Sequence, residues 1–254
     1  MIAFRGAQKA WTGGVSVGPL DLSIEEGQFV ALIGGSGSGK TTTLKMVNRL
    51  VALTAGEVWV EGKNAALRPA HLLRRSIGYV FQEIGLFPHL LAGENIAVGP
   101  RLAGWSKDRT STRLGELLEM MNLPADLAAR RPSELSGGQR QRVGLARAIA
   151  ANPRIVLMDE PFGALDPMIR EALAADYKSL HERLGLTTVM VTHDLVEALL
   201  LADRIVVMET GRIVVDAAPG ELLDPAYAGA ARPLLDARRR QEDRLSALAM
   251  GEEP

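Results

Sequence analysis

The stretch that most limits what this chain can fold into is Gly34-Gly35-Ser36-Gly37-Ser38-Gly39-Lys40-Thr41, set between the apolar run "FVALI" (29–33) and "TTTLKMVNRL" (41–50). Glycines let the backbone curl so that successive N–H groups face one point, a path that a Cβ would obstruct. A buried strand leading in and an amphipathic helix leading out are the context in which G-x-x-x-x-G-K-[ST] is read as a phosphate-binding loop. On that reading residues 34–41, with Thr42, bind ATP. Lys40 reaches the β- and γ-phosphates, and the Thr41 hydroxyl holds Mg2+.

Further apolar, β-branched runs recur at "IGYVF" (77–81), "IVLMD" (155–159), "TVMVTH" (188–193) and "RIVVM" (204–208). Runs that do not alternate suit strands buried on both faces, as in a parallel sheet covered by helices. "METGRIVVDA" instead places a turn, Glu209 to Arg212, between two strand-like runs and predicts an antiparallel hairpin. "EVWVEG" (57–62) alternates and is expected at an antiparallel edge. From residue 89 to 151 the period becomes helical, with Leu114, Leu117, Leu118 and Met121 three and four apart. The expected fold is therefore α/β: a P-loop NTPase (RecA-like) core with an antiparallel β subdomain over 1–88 and 152–225, and an inserted α-helical subdomain over 89–151. The charged segment "ARRRQEDRLSAL" in 226–254 is read as a short solvated helical tail, since Glu242 and Asp243 offset its arginines.

With 254 residues and 47% apolar content the chain can bury a substantial core. The 29 Lys+Arg against 30 Asp+Glu leave a net charge of −1, so no basic field points to nucleic acid. The absence of cysteine excludes a disulfide framework and thiol catalysis. No run reaches the roughly 18 apolar residues of a membrane span. The richest stretches are broken by Arg147, Glu197, Asp203 and Arg204, and "MIAFRGAQKAW" lacks the order of a secretory signal.

A phosphate loop needs a carboxylate to fix its metal, and "IVLMDEP" supplies a pair at a strand end. Asp159 is the expected Mg2+ ligand and Glu160 the general base that polarises the attacking water. Gln82 leaves the run "YVF" where its amide oxygen can approach the metal and its water; His193 ends "TVMVTH", where an imidazole can reach the γ-phosphate. Taken singly, each has a commoner reading as an ordinary strand-end polar group, and it is the upstream loop that changes the balance. A second anion-binding turn, Leu135-Ser136-Gly137-Gly138-Gln139, opens a helix about a hundred residues after the first.

Together these segments resemble the ATPase subunit of ABC transporters over nearly the whole chain. The phosphate loop, Gln82, the signature 135–139, Asp159-Glu160, Ala164-Leu165-Asp166 and His193 occur in that family's order. The resemblance implies a head-to-tail homodimer in which Leu135, Ser136, Gly137, Gly138, Gln139 and Asp166 bind the partner's ATP in trans. It also implies catalytic roles for Lys40, Glu160 and His193. Trp11 matches the aromatic that stacks on adenine, where Tyr is more usual; a core tryptophan is the competing reading.

A narrower likeness, carried by "QEIGLFPHLLAGENIAVGPRLAGWSK" and "LKMVNRLVALTAGEV", is to the ATPases of osmoprotectant importers for glycine betaine, choline or carnitine. Arg140, and "LLAGENI" in place of "LTVAENI", depart from that pattern. The partners so implied are membrane permease subunits and a solute-binding protein, with no nucleic acid. Membrane contact is then made only through the permease, at the cytoplasmic face. "EIGLFPHLL" (83–91) is expected to form the docking surface, with Leu86, Phe87 and Leu90 exposed, unless they pack onto the helical insertion. An importer ATPase for another small solute, an amino acid or an anion, and a soluble non-transport ABC ATPase are the alternatives.

Overall fold

The computed structural model describes residues 1–14, 16–163 and 165–224. In chain order the elements are β1 (Ile2–Ala10), β2 (Ser16–Ile24), β3 (Phe29–Ile33), α1 (Lys40–Val47), β4 (Ala55–Val60), β5 (Lys63–Asn64), α2 (Ala70–Arg75) and β6 (Ile77–Val80). Then come α3 (Ala92–Leu102), α4 (Lys107–Met120), α5 (Gly137–Ile149), β7 (Ile155–Asp159), α6 (Pro167–Leu184), β8 (Thr187–Val191), α7 (Leu195–Leu201), β9 (Arg204–Glu209), β10 (Arg212–Ala217) and α8 (Pro219–Leu223).

The non-alternating apolar runs form one six-stranded sheet of order β10-β9-β3-β8-β7-β6. Its inner pairs are parallel, and β10 closes the edge as an antiparallel hairpin with β9, Glu209 opposite Arg212. All five residues of β3, β7 and β8 are buried. Because successive side chains point to opposite faces, each strand serves two cores. Phe29, Ala31 and Ile33 pack with Val156, Met158 and the buried faces of α3 to α7. Val30 and Leu32 pack with Ile155, Leu157, α1 and the second sheet.

That second sheet is antiparallel, of order β2-β1-β4-β5. The alternating "EVWVEG" is antiparallel as expected but is not an edge, because the two-residue β5 pairs with Trp59 and Val60 on its outer side. Between β6 and β7 the regular structure is helical, as the period predicts. Leu117, Leu118 and Met121 are buried in the same core as β3, while Leu114 is half-buried against it. The expected helix over 226–254, and Ala164, lie outside the described residues.

His181 on α6 is buried, with its ring 5.1 Å from that of Phe29 and Nδ1 3.0 Å from Thr188 Oγ1. Desolvation, followed by the charge of Lys178, pushes its pKa below the ordinary imidazole value. The unfolded chain then binds this proton more readily than the folded one. Stability should be full above about pH 6.5 and fall as pH drops below it. Thermal melting followed from pH 7.5 to 5.5 should show a shallower loss in His181→Gln than in the parent; equal slopes would remove His181 as the source.

Candidate nucleotide site

The loop 34–39 leaves the carboxyl end of β3, the central strand, and delivers Lys40 to the first turn of α1. Gly34 has φ 148°, and a Cβ there would lie 2.1 Å from the Met208 carbonyl oxygen. Gly39 has φ 100°, and its Cβ would come within 2.8 Å of Val17 Cγ2. The chain can take this path only without side chains at those two points. The hairpin turn between β9 and β10 braces the loop from outside: Gly211 N donates to Ser38 O at 3.1 Å and Gly18 N to Gly211 O at 2.7 Å.

Lys40 is buried, and its Nζ donates to Gly34 O at 2.8 Å and Gly35 O at 2.9 Å. Burial lowers its pKa, while the nearby charges of Glu160 and Asp159 act in the opposite direction. The Thr41 hydroxyl donates to Asp159 Oδ1 at 2.7 Å, joining residues 118 apart in the chain. Trp11 is 40% exposed, so it is not a core tryptophan. It lines one cleft of about 260 Å³ with Val17 and residues 37–42.

Glu160 follows β7 with φ 45°, a left-handed conformation that costs a non-glycine residue energy and is concentrated at functional sites. Its N–H donates to Val191 O at 2.9 Å. Its Oε2 accepts from Gln82 Nε2 at 3.3 Å and lies 3.3 Å from His193 Nδ1. Three strand ends, after β6, β7 and β8, therefore converge on one carboxylate. Gln82 bonds Glu160 directly, and it also shares a cleft with Asp159 and Lys45.

Two members of the cluster escape sequence reasoning. Lys45 Nζ is 3.8 Å from Asp159 Oδ2, one helical turn beyond Thr41. The Tyr79 hydroxyl is buried with no hydrogen bond of acceptable geometry; burial, then the adjacent Asp159 charge, raises its pKa and keeps it a neutral phenol.

The second turn is a capping box on α5. Ser136 Oγ accepts from Gln139 N at 3.2 Å, and Gln139 Oε1 accepts from Ser136 N at 2.9 Å. Leu135 is buried; a Cβ on Gly137 would meet open space, and one on Gly138 would press on Ile169 at 3.0 Å. Asp166 caps α6, with Oδ1 accepting from Ile169 N at 3.1 Å. Among the described residues no hydrogen bond or ion pair joins 135–139 to 34–42, so the two turns are not tied to each other within one chain.

The segment 83–91 departs from its expected exposure. Leu86 packs against the core and Leu90 is half-buried; Phe87 is 42% exposed, and so is Phe81, at 46%. Asn95 of α3, fully buried, accepts from Phe87 N at 2.8 Å and donates to the carbonyls of Phe87, Leu90 and Leu91 at 3.1–3.2 Å. Nothing in its local sequence distinguishes this asparagine from a surface residue.

A parallel sheet with a glycine loop opening a helix at its central strand, and strand-end carboxylates beside it, defines a P-loop nucleotide-binding cassette. The sequence profile of the ABC transporter family matches residues 17–163, and the chain belongs to that family. It is 48% identical over 224 residues to the carnitine transport ATP-binding protein OpuCA of Listeria monocytogenes, covering 88% of this chain and 56% of that protein. It is 48% identical over 223 residues to the glycine betaine uptake system ATP-binding protein YehX of Escherichia coli K12, covering 88% and 72%. The chain thus spans little more than half the length of the first of these relatives. Among solved structures, a post-hydrolysis dimer of the ATP-binding cassette MJ0796 with ADP and Pi superposes with a TM-score of 0.78 at 35% identity, covering 86% of this chain and 99% of that one. Among the described residues no helix is long and apolar enough to cross a membrane.

Proposed function

We propose that this chain hydrolyses ATP to drive uptake of a quaternary-ammonium or similar zwitterionic osmoprotectant through separate permease subunits fed by a solute-binding protein. The observation that carries the ATPase reading is the convergence of Gln82 and His193 on Glu160, beside the Thr41–Asp159 pair. The relatives' names carry the solute reading. In this proposal the loop amides of residues 34–39 and Lys40 bind the ATP phosphates, with Thr42, and Trp11 stacks on adenine from the far wall of the same cleft. Glu160 accepts a proton from the attacking water. Gln82 and His193 hold its carboxylate in place, and His193 faces the γ-phosphate.

The donor set suits Mg2+: a hydroxyl, a carboxylate and an amide oxygen are hard ligands. Among the described residues no cluster of three or more His, Cys, Asp or Glu could cage an ion alone, and the substrate's phosphates would complete the shell. Thr41, Asp159 and Gln82 would hold the ion, which neutralises charge developing on the phosphates.

Because the chain's own 135–139 turn does not reach its own loop, we place it, with Asp166, over the nucleotide of a second copy packed head to tail. That a similar cassette is dimeric with ADP and Pi bound supports the pairing of two copies. The assembly would lie on the cytoplasmic face of the membrane, held there by the permease, with Phe81 and Phe87 as apolar contacts beside Gln82.

The test is ATP-dependent uptake of labelled glycine betaine, choline and carnitine by the complex reconstituted with its permease. Import of none of them, alongside transport of an amino acid or anion, overturns the solute reading. Phe87→Asp should cut uptake by about tenfold or more, as loss of a central aromatic anchor does, and leave ATPase activity of the isolated chain within about twofold. Equal loss of both would show that Phe87 serves packing instead.

A further inference from the structure

The eleven residues between β6 and α3 contain neither helix nor strand, yet they are held by side chains from two helices, one buried and one half-buried. Asn95 fixes the downstream part. The upstream part belongs to Arg147, in the last turn of α5: Nη2 donates to Ile84 O at 2.8 Å and Nη1 to Gly85 O at 2.7 Å. Its guanidinium carbon stands 5.9 Å from the centre of the Phe87 ring. One turn earlier on α5, a Cβ at Gly144 would sit 3.0 Å from Ile84 Cγ2, so the segment lies hard against that helix.

Among the described residues Arg147 forms no ion pair, although burial is heavy enough to lower its pKa. Desolvating a half-buried cation that has no carboxylate beside it carries a cost, and here two carbonyls and an aromatic face are its compensation. A forked donor meeting two successive carbonyls fixes the orientation as well as the distance of the segment.

The same helix reaches the catalytic strand by a second route. Gln141 of α5, which is buried, donates from Nε2 to the carbonyl of Pro161, the residue after Glu160. A ring of contacts results: Glu160 to Pro161, Gln141 to Arg147 along α5, Ile84 and Gly85 back to Gln82, and Gln82 to Glu160. Only Glu83, which is exposed, separates the part held by α5 from the residue that bonds Glu160.

From this geometry we infer that Arg147 is a positioning residue that sets Gln82 against Glu160. It also carries the placement of the Ser136 turn, roughly 16 Å away along the same rigid helix, to that carboxylate. The inference rests on the reading that Glu160 is the base and that Ser136 meets a partner's nucleotide. Hydrolysis in one site of the dimer would then respond to whether the same chain's turn is seated on the other.

The chain contains no cysteine, so Glu83→Cys takes a single nitroxide label beside Gln82. With wild-type Arg147 the label should be immobilised, and ATP should change its spectrum; Ser136→Glu, which blocks seating of the turn, should remove the change. Arg147→Met should free the label with or without ATP. In the unlabelled chain the same substitution should lower kcat roughly 10- to 100-fold, as misplacing a catalytic group does, with the Kd for ATP within about twofold. Arg147→Lys keeps the charge but offers one point donor and should not restore kcat; it also serves if the methionine variant fails to fold. An unchanged label in the Arg147 variants, full rescue by lysine, or loss of ATP binding in parallel with kcat would overturn the inference. Absence of ATP hydrolysis in the wild type would instead overturn the ATPase reading, since label mobility without nucleotide reports the tie by itself.

Discussion

Replacing Lys40 with alanine is expected to abolish ATP hydrolysis and to weaken ATP binding by about a hundredfold or more, since it deletes charge-assisted hydrogen bonds to the phosphates that contribute about 1.5–3 kcal/mol each. The fold should survive. Lys40 bonds to the carbonyls of Gly34 and Gly35, but the loop is also braced by Gly211 N to Ser38 O and capped within α1 by Thr43 Oγ1 to Gly39 O at 3.0 Å. Burial depresses the lysine pKa while Asp159 and Glu160 oppose that shift. Lys45, the other lysine of α1, is turned toward Asp159 Oδ2 rather than toward the loop carbonyls that Lys40 meets. Nucleotide binding by calorimetry and phosphate release measure the two effects separately. Wild-type turnover in this variant would sink the assignment of the loop.

The second large effect concerns Glu160→Gln. A general base contributes typically a factor of 10² to 10⁴, so kcat should fall by about that much while ATP and Mg2+ binding persist. The substitution isolates chemistry from structure. Glutamine keeps the size of the side chain and an acceptor for Gln82 Nε2, and it inherits the same φ of 45°, so whatever the left-handed conformation costs is common to both forms. With hydrolysis blocked, a dimer closed over two ATP molecules should form and fail to reopen, giving a stable dimer in gel filtration where the parent shows one only briefly. A variant that stays monomeric at saturating ATP would count against both the role of Glu160 and the trans role of Ser136.

The phosphate loop, the five runs that pair into the central sheet, the β9–β10 hairpin and the helical stretch before β7 were legible because each states its requirement within a few adjacent residues. A glycine where φ must be positive, an unbroken apolar run where both faces are buried, and a serine three residues before a glutamine at a helix start are local conditions. Asp159, Glu160, Gln82 and His193 were found by their common position, at or within two residues of a strand's carboxyl end, since parallel strands of one sheet bring those ends to the same edge.

What only the tertiary structure decided is which side chains cross between elements. Nothing near Gly211 shows that it props the phosphate loop, and nothing near Asn95 shows that it pins Phe87 and Leu91. The apolar residues of 83–91 were read as exposed from their loop position, but Leu86 packs, half-buried, against the core. Arg147 had served in the sequence only as a charge interrupting an apolar stretch, because on a helix a lone arginine is ordinarily solvated. Its meaning lies in carbonyls 62 and 63 residues away. Periodicity records which face of an element is buried, but not which polar group that face meets, because a long side chain can reach any partner the packing brings within its length.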